Sequence, residues 1–554
     1  MESSSQKPLF FFAIIMILTG VFAQGAIQSS FGSVSVSQVD FSASDGSNIH
    51  ATLQKPSDAS TSHPAPGIVV IHGSLQSKEW LMAFGIELAR RGVVVLTIDA
   101  NGHGNSDDGN GGGSAALDYL ASLDFVNSSS VGLIGHSMGG GIAWDAITTT
   151  DVEVDALVLI GSWVSNQANR TYPHNMLVAV GEFDSLSSYP RNLSLLEEAF
   201  GTDEVQAGVT YGEFADGSAR RIVISKTNHL LETIDPPIVS ETVSWILQSF
   251  NTEGFDEVSS TTLVYPYWLA GGLIAVVGLI LSIFPVATLL FRNLFDDTSS
   301  EEQEDIKEMA WRWKYLYGAI GLVTFFPLLG GGLLLDSVIS FPQRYAVPIM
   351  TWILGTTLIA AFLGAIKQDL PLLRNWLTDG DSLKNGRRLA KYGLIVTAIF
   401  FWLYLWTLIV DLLFALDFRC FLPGLNDLTV SRALFVPLYF AVFLPYFAVE
   451  NRLLVATREN RKLISNWTVK SVLAKCFAFL LAIGTQLSVG FFTGQPLLSG
   501  LLGYSFLFFY AFVPWFAVAM LLSIHSWNLT GEGILGPALN SLLFAWLLST
   551  VLAF

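Results

Sequence analysis

The first half of the chain alternates short apolar runs with segments of helical spacing. "GIVVIHG", "VVVLTID", "VGLIG", "DALVLIG", "MLVAVGEFD" and "RRIVISKTNH" are largely apolar rather than alternating. That pattern predicts strands buried on both faces. Between them, "WLMAFGIELARRG", "SAALDYLASLDF", "GGIAWDAITT" and "PPIVSETVSWILQSF" repeat apolar residues at helical spacing. Gly92 caps the first of these helices and Pro236 opens the last. Ahead of them, "VSQVDFSASDGSNIHATLQKP" reads as two alternating segments around Asp45-Gly46, a hairpin signal. Alternation of this kind predicts an α/β fold, a mostly parallel sheet with helices on both faces.

The second half follows a different pattern. Residues 264–291, 315–335, 346–366, 392–414, 433–449, 471–493, 497–523 and 533–553 are long apolar runs, each near the length a bilayer requires. They predict an all-α transmembrane bundle of about eight helices over 263–554. A polar stretch, "NTEGFDEVSSTT" at 251–262, reads as a linker between the halves. At the N-terminus a run from Leu9 to Ala23 follows Lys7. It is short for a span, and Val21 and Ala23 sit where a signal peptidase accepts small residues. Residues 1–23 therefore read first as a cleaved signal peptide and second as an uncleaved anchor. Either exports the domain at 30–250.

Loop charge gives an orientation. The first five loops between spans carry 4, 1, 6, 2 and 5 Lys or Arg, and the last two carry none. Basic loops favour the cytoplasm, so loops one, three and five are expected inside and the α/β domain outside. Three glycosylation sequons in that domain, at Asn127, Asn169 and Asn192, are compatible with this side. Composition agrees with a membrane chain: only 14% of the 554 residues are charged, and mean hydropathy is +0.51. The net charge of −17 argues against a nucleic-acid partner. The two cysteines, Cys420 and Cys476, both lie in the apolar half and are not expected to pair.

Candidate chemistry lies in "VGLIGHSMGGG" at 131–141. Ser137 follows a strand and precedes a helix, with Gly135, Gly139 and Gly140 around it. A tight turn of this sort lifts a hydroxyl clear of the sheet, and small neighbours let strand and helix backbones approach. The N–H of Met138 then faces a developing oxyanion. A second donor is expected after the earlier strand, in "VVIHGSLQ": Ser74 first, Leu75 second. Asp184 ends "MLVAVGEFD" and His229 ends "IVISKTNH". Both follow apolar strands, so both are expected on the rim that carries Ser137. His229 would accept the hydroxyl proton and Asp184 would hold the imidazole tautomer. Glu182 is a rival acid. His136 and His103 read as structural, and Asp99 as a residue that fixes the loop after its strand.

"HGS", "DANGHGNSD", "GHSMGG", "GEFD" and "NH" resemble the landmarks of the α/β-hydrolase superfamily, in particular its dienelactone hydrolase-like and serine aminopeptidase–monoglyceride lipase-like members, over residues 36–250. The resemblance implies the α/β-hydrolase fold and a serine nucleophile, with Ser137, Asp184 and His229 in the family's positions. Two departures stand out. Only "SWVSNQANRTYPHN" separates two strands where a cap domain usually sits, which suggests an open site with a minimal cap. About 30 residues are also inserted after Asp184.

The reading that follows is a membrane-tethered extracytoplasmic serine hydrolase cleaving an ester, thioester or amide through an acyl-enzyme. Its substrate would be a small-molecule, lipid or peptide acyl compound. The alternative is a transporter or receptor whose hydrolase-like domain is a non-catalytic sensor. Membrane lipids are expected partners, and a membrane partner or homo-oligomer is compatible with the spans. No metal cluster, phosphate-cradling loop or cofactor motif is read. Within the spans, Asp411 is the clearest charge and hence a functional candidate. Gly330–Gly332 and the prolines Pro327, Pro445 and Pro514 read as helix-packing and kink positions.

Overall fold

The computed structural model describes residues 3–184, 186, 193–250, 262–295, 311–367, 386–456, 462–493, 496–498, 503 and 506–554. Asn192, nearly all of the linker and the acidic segment at 296–310 lie outside the described residues.

Residues 34–225 form one nine-stranded sheet. Its strands are β1 Val34–Ser42, β2 Asn48–Pro56, β3 Ala65–Ile71, β4 Val94–Ile98, β5 Val126–His136, β6 Ala156–Ile160, β7 Met176–Gly181, β8 Thr210–Tyr211 and β9 Arg220–Ser225. The spatial order is β1-β2-β4-β3-β5-β6-β7-β9-β8. β4, β3, β5, β6, β7 and β9 run parallel. Only the edges are antiparallel. The hairpin turns at Gly46, whose φ of 87° suits glycine. β3 to β6 are Val/Ile/Leu-rich, and their apolar side chains are almost completely buried, as a parallel sheet covered on both faces requires. Because β3 pairs with β4 on one side and β5 on the other, the direction in which strands are added to the sheet reverses at β3. A crevice opens at such a point outside the carboxyl ends of the strands.

The helices of this part are α2 Met82–Ala89, α3 Gly112–Ser122, α4 Met138–Thr149, α5 Leu193–Phe200 and α6 Pro236–Ser249. Asp235 caps α6 by accepting the Ile238 N–H at 3.2 Å. The inserted segment after Asp184 contributes α5 and the short edge strand β8.

The apolar runs form helices: α7 Tyr265–Leu294, α8 Trp311–Ile339, α9 Ala346–Lys367, α10 Gly386–Phe414, α11 Val436–Glu450, α12 Asn466–Thr493, α13 Phe506–Thr530 and α14 Leu535–Val551. Among the described residues, eight helices are long and apolar enough to cross a membrane, counting Gln6–Gln28 and taking α11 within Val430–Val455. α14 is shorter than that.

The N-terminal segment, α1, runs as one helix over Ser3–Gln28, well past the apolar run seen in sequence. It lies close along α7: a methyl group on Gly20 would collide with the Gly271 carbonyl, and one on Gly278 would meet Ala13 O at 2.8 Å. Small residues of this kind let helix backbones approach in a membrane. The Trp268 indole N–H donates to Gln28 Oε1 at 3.1 Å.

Asp411 lies at the end of α10, where its Oδ1 accepts from the Gln38 side chain of β1 at 3.0 Å. It joins the two halves rather than sitting alone at depth. Buried charges among the described residues of the helical half include Lys475 of α12, which pairs with Glu450 and Tyr446 of α11, and Lys314 of α8. Their separation in sequence hid that pairing. Of the glycine triplet, Gly332 packs against Pro348, while Gly330 and Gly331 face open space. Cys420 and Cys476 are both free.

The two halves are docked, not merely tethered. The loop between α10 and α11 reaches the sheet end. Arg419 donates to Glu79 Oε1 at 2.9 Å and to Asp99 Oδ2 at 3.3 Å, and it also pairs with Asp417. Asn105 donates to Asp427 at 3.0 Å. Arg432 donates to the Gly102 carbonyl at 2.9 Å and, through its other nitrogen, to the carbonyls that end α14. The loop before α9, the loop before α11 and the end of α14 all lie on the side of the α/β domain. The turn before α14 lies at the far end, where Glu532 pairs with Arg388 at the start of α10.

Candidate active site

Each candidate side chain follows a parallel strand, so all reach the same rim. Ser137 is the residue between β5 and α4. Its backbone sits at φ 54°, ψ −118°, a region a side chain rarely adopts. Such strain costs on the order of 1–3 kcal/mol and persists only where surroundings enforce it. The glycines enforce it here. A methyl on Gly135 would strike the Gly139 backbone, and one on Gly139 would strike the Ile71 carbonyl at the end of β3. α4 therefore starts hard against the sheet, with the Ser137 hydroxyl projecting from the turn.

The structure brings together the three residues picked from sequence. The Ser137 hydroxyl donates to His229 Nε2 at 2.9 Å, and His229 Nδ1–H donates to Asp184 Oδ2 at 2.9 Å. A carboxylate only accepts, so the proton of a neutral imidazole rests on Nδ1. That leaves Nε2 free to take one from the serine. The Leu186 N–H donates to Asp184 Oδ1 at 2.7 Å and fixes the carboxylate. Asp184 is 1% exposed, whereas the rival Glu182 is exposed to solvent.

Ser74 and Met138 are neighbours: the Ser74 hydroxyl lies 3.2 Å from Met138 Sδ. Met138 heads α4, where the first amides have no acceptor within the helix. Leu75, the second choice, holds a φ of 59° in the same loop. The Gly73 N–H donates to Gln76 Oε1 at 2.9 Å, which closes the turn.

His136 is structural, as expected. Burial and the neighbouring His229 lower its pKa to about 3, and its Nε2–H donates to the His229 carbonyl at 3.0 Å. His103 is buried against His72, with Nδ1 3.0 Å from the Asn101 carbonyl. Asp99 does fix its loop, accepting the Lys78 and Asn105 N–H groups at 2.9 and 3.1 Å. Burial alone would raise its pKa, but the Arg419 and Lys78 charges outweigh that and hold it below the usual carboxylate range.

One residue of the site was not legible in sequence. Glu232 is fully buried, accepts the Gly181 N–H at 2.6 Å, and lies 3.5 Å from His229 Nδ1. Burial and the adjoining Asp184 push its pKa well up, which favours the protonated form behind the histidine. It stands in a short 3-10 turn after His229, where no periodicity marks it. His136, His229 and Glu232 offer ligand atoms within 4.8 Å of one another. Of these atoms, His136 Nε2 meets the His229 carbonyl, and the two nitrogens of His229 meet Ser137 and Asp184.

The site is not open. The short β6–β7 connection does leave it without a cap from its own domain, but the helical half covers it. An apolar cavity of about 210 Å³ begins at Ser137, His229 and Trp80 and is walled by residues of α9, α13 and α14. The sequence could not reveal this, because the wall lies more than 100 residues beyond His229.

Residues 62–195 match the family model described as serine aminopeptidase, S33. None of the curated proteins matches the chain. Similar solved structures include Est1E from Butyrivibrio proteoclasticus with bound ferulic acid, 18% identical, covering 39% of this chain and 100% of that one at a TM-score of 0.31. The α/β hydrolase GrgF from Penicillium sp. sh18 is 13% identical, covering 39% and 100% at 0.31. The Pyrococcus furiosus esterase PF2001 is 11% identical, covering 40% and 94% at 0.31. The strand order and the strained serine turn give the first 250 residues the α/β-hydrolase fold, within which residues 62–195 are similar to the serine aminopeptidase S33 model, and a helical region able to span a membrane follows.

Proposed function

We propose that the protein is a membrane-bound serine hydrolase whose catalytic domain faces away from the cytoplasm, with Ser137 as nucleophile, His229 as base and Asp184 as its orienting acid. The observation that carries this reading is the unbroken relay from the Ser137 hydroxyl through His229 to Asp184, at 2.9 Å for each step.

In the first half-reaction the Ser137 oxygen bonds to the acyl carbon while its proton passes to His229 Nε2. The N–H groups of Met138 and Ser74 receive the charge that builds on the carbonyl oxygen. Collapse breaks the bond to the leaving group, which takes the proton from His229. Water then attacks the acyl-enzyme, giving its proton to His229. Release of the acid returns that proton to Ser137.

Two features support the orientation. The loops and helix ends that dock on the hydrolase domain carry few basic residues, whereas the loops at the opposite end are rich in them. The packing of α1 against α7 favours an anchor that stays in place. The even number of described helices from α7 to α14 puts the hydrolase domain and the end of α14 on one side.

The test is labelling of intact cells with a fluorophosphonate. The native chain is expected to label and Ser137→Ala to remain dark. Labelling of neither protein would favour a sensor without turnover, and labelling only after permeabilisation would reverse the orientation.

A further inference from the structure

The cavity beyond Ser137 is built by the half of the chain that an anchor alone would not need. Its hydrolase side is the Gly73–Gln76 loop, Trp80, Ser137 and His229; its far side is α13 from Leu507 to Pro514, α14 from Leu547, and Phe421 of the docking loop. α13 begins at Phe506, so Pro514 lies about 12 Å along that helix at 1.5 Å per residue. The cavity therefore runs from the serine down among the spanning helices. Its walls there are almost wholly apolar. At roughly 30 Å³ for a water-sized group, a volume of about 210 Å³ holds a chain of about seven such groups. A second opening, of about 30 Å³, adjoins it at His229 and Leu230 and reaches Leu487 of α12. The outer face of α12 there carries Phe491 and Phe492, 62% and 82% exposed, as a lipid-facing surface does.

We propose that this cavity holds the hydrocarbon chain of an acyl ester or thioester drawn from the bilayer, so that the helical half is the acyl-binding cap of the enzyme. The inference rests on the hydrolase reading above and adds the substrate class. A polar or very short acyl group would leave an apolar cavity unfilled beside the reacting carbon. A chain entering from the membrane fills it and places its carbonyl at Ser137. Each methylene buried there strengthens the interaction about fourfold, up to the length at which the cavity is full.

The experiment uses the full chain in phosphatidylcholine nanodiscs with p-nitrophenyl esters of two, four, eight and twelve carbons. We expect kcat/KM to rise at least tenfold from acetate to octanoate and then to level off. Ala511→Phe, which puts a ring into the cavity from α13, is expected to move the preferred length down by two or more carbons. Should that variant not accumulate, the native profile decides alone. A chain that labels with fluorophosphonate at Ser137 yet shows a flat or falling length profile would overturn the acyl inference and leave the hydrolase reading standing. Faster turnover of leucine p-nitroanilide than of any ester would assign the cavity to a peptide side chain and also overturn it. Absence of label at Ser137 would remove both readings together.

Discussion

Ser137 holds a backbone conformation that only its surroundings maintain, and this has a measurable cost. Ser137→Gly relieves the strain and is expected to raise thermal stability, by an amount corresponding to about 1–3 kcal/mol, while abolishing turnover. A thermal melt beside an activity assay checks both. Asp184→Asn keeps the shape but offers a donor where His229 Nδ1–H needs an acceptor, so kcat is expected to fall by about 10⁴. Glu232 makes a pH prediction. Its folded-state pKa lies well above the ordinary 4.5, so between the two values the unfolded chain ionises while the folded residue keeps its proton. The cost to stability grows as pH rises above 4.5. Glu232→Gln is therefore expected to melt higher than the native chain at pH 8 and level with it at pH 4. Ser137, Asp184 and His229 were legible because each follows an apolar strand end. Glu232 was not, because its role depends on Gly181 and His229 meeting it in space.

The predicted β-hairpin, the parallel strands and the helices between them all appear, since each leaves its period within a dozen residues. The clamp between the halves leaves no such trace: Arg419 meets Glu79 and Asp99 across 340 and 320 residues. Arg419→Met would leave two buried carboxylates short of a counter-charge, a loss on the order of 3–5 kcal/mol. Because Glu79 stands beside Trp80 in the cavity wall, activity is expected to fall with stability, as melting and kcat/KM of the same preparation would reveal. Acid tests the same clamp. Burial opposes ionisation of Asp99 and Glu79, but the Arg419 and Lys78 charges outweigh it and hold both carboxyls below their ordinary values of 3.8 and 4.5. Groups lowered in this way stabilise the fold above those values and cease to do so as pH falls through the folded ones. The melting temperature is expected to start falling below about pH 4.5, and less so in Arg419→Met.

At the scale of the molecule, the side on which the hydrolase stands has its own test. A cysteine at exposed Asn169 is expected to react with an impermeant maleimide on intact cells, and one at exposed Arg387 only after permeabilisation, each in a chain lacking Cys420 and Cys476. The division into an α/β half and a helical half was legible from hydrophobic patterning. That the second half roofs the first was not, because run lengths say where helices are and nothing of what their ends touch. The roof has a practical consequence. Alkyl surfactants used to extract the enzyme have tails of the same chemistry and calibre as the space above Ser137. Rates measured in micelles should drop as surfactant tails approach eight carbons and recover on transfer to a lipid patch, so an apparently inert preparation would report on its solvent rather than on the protein.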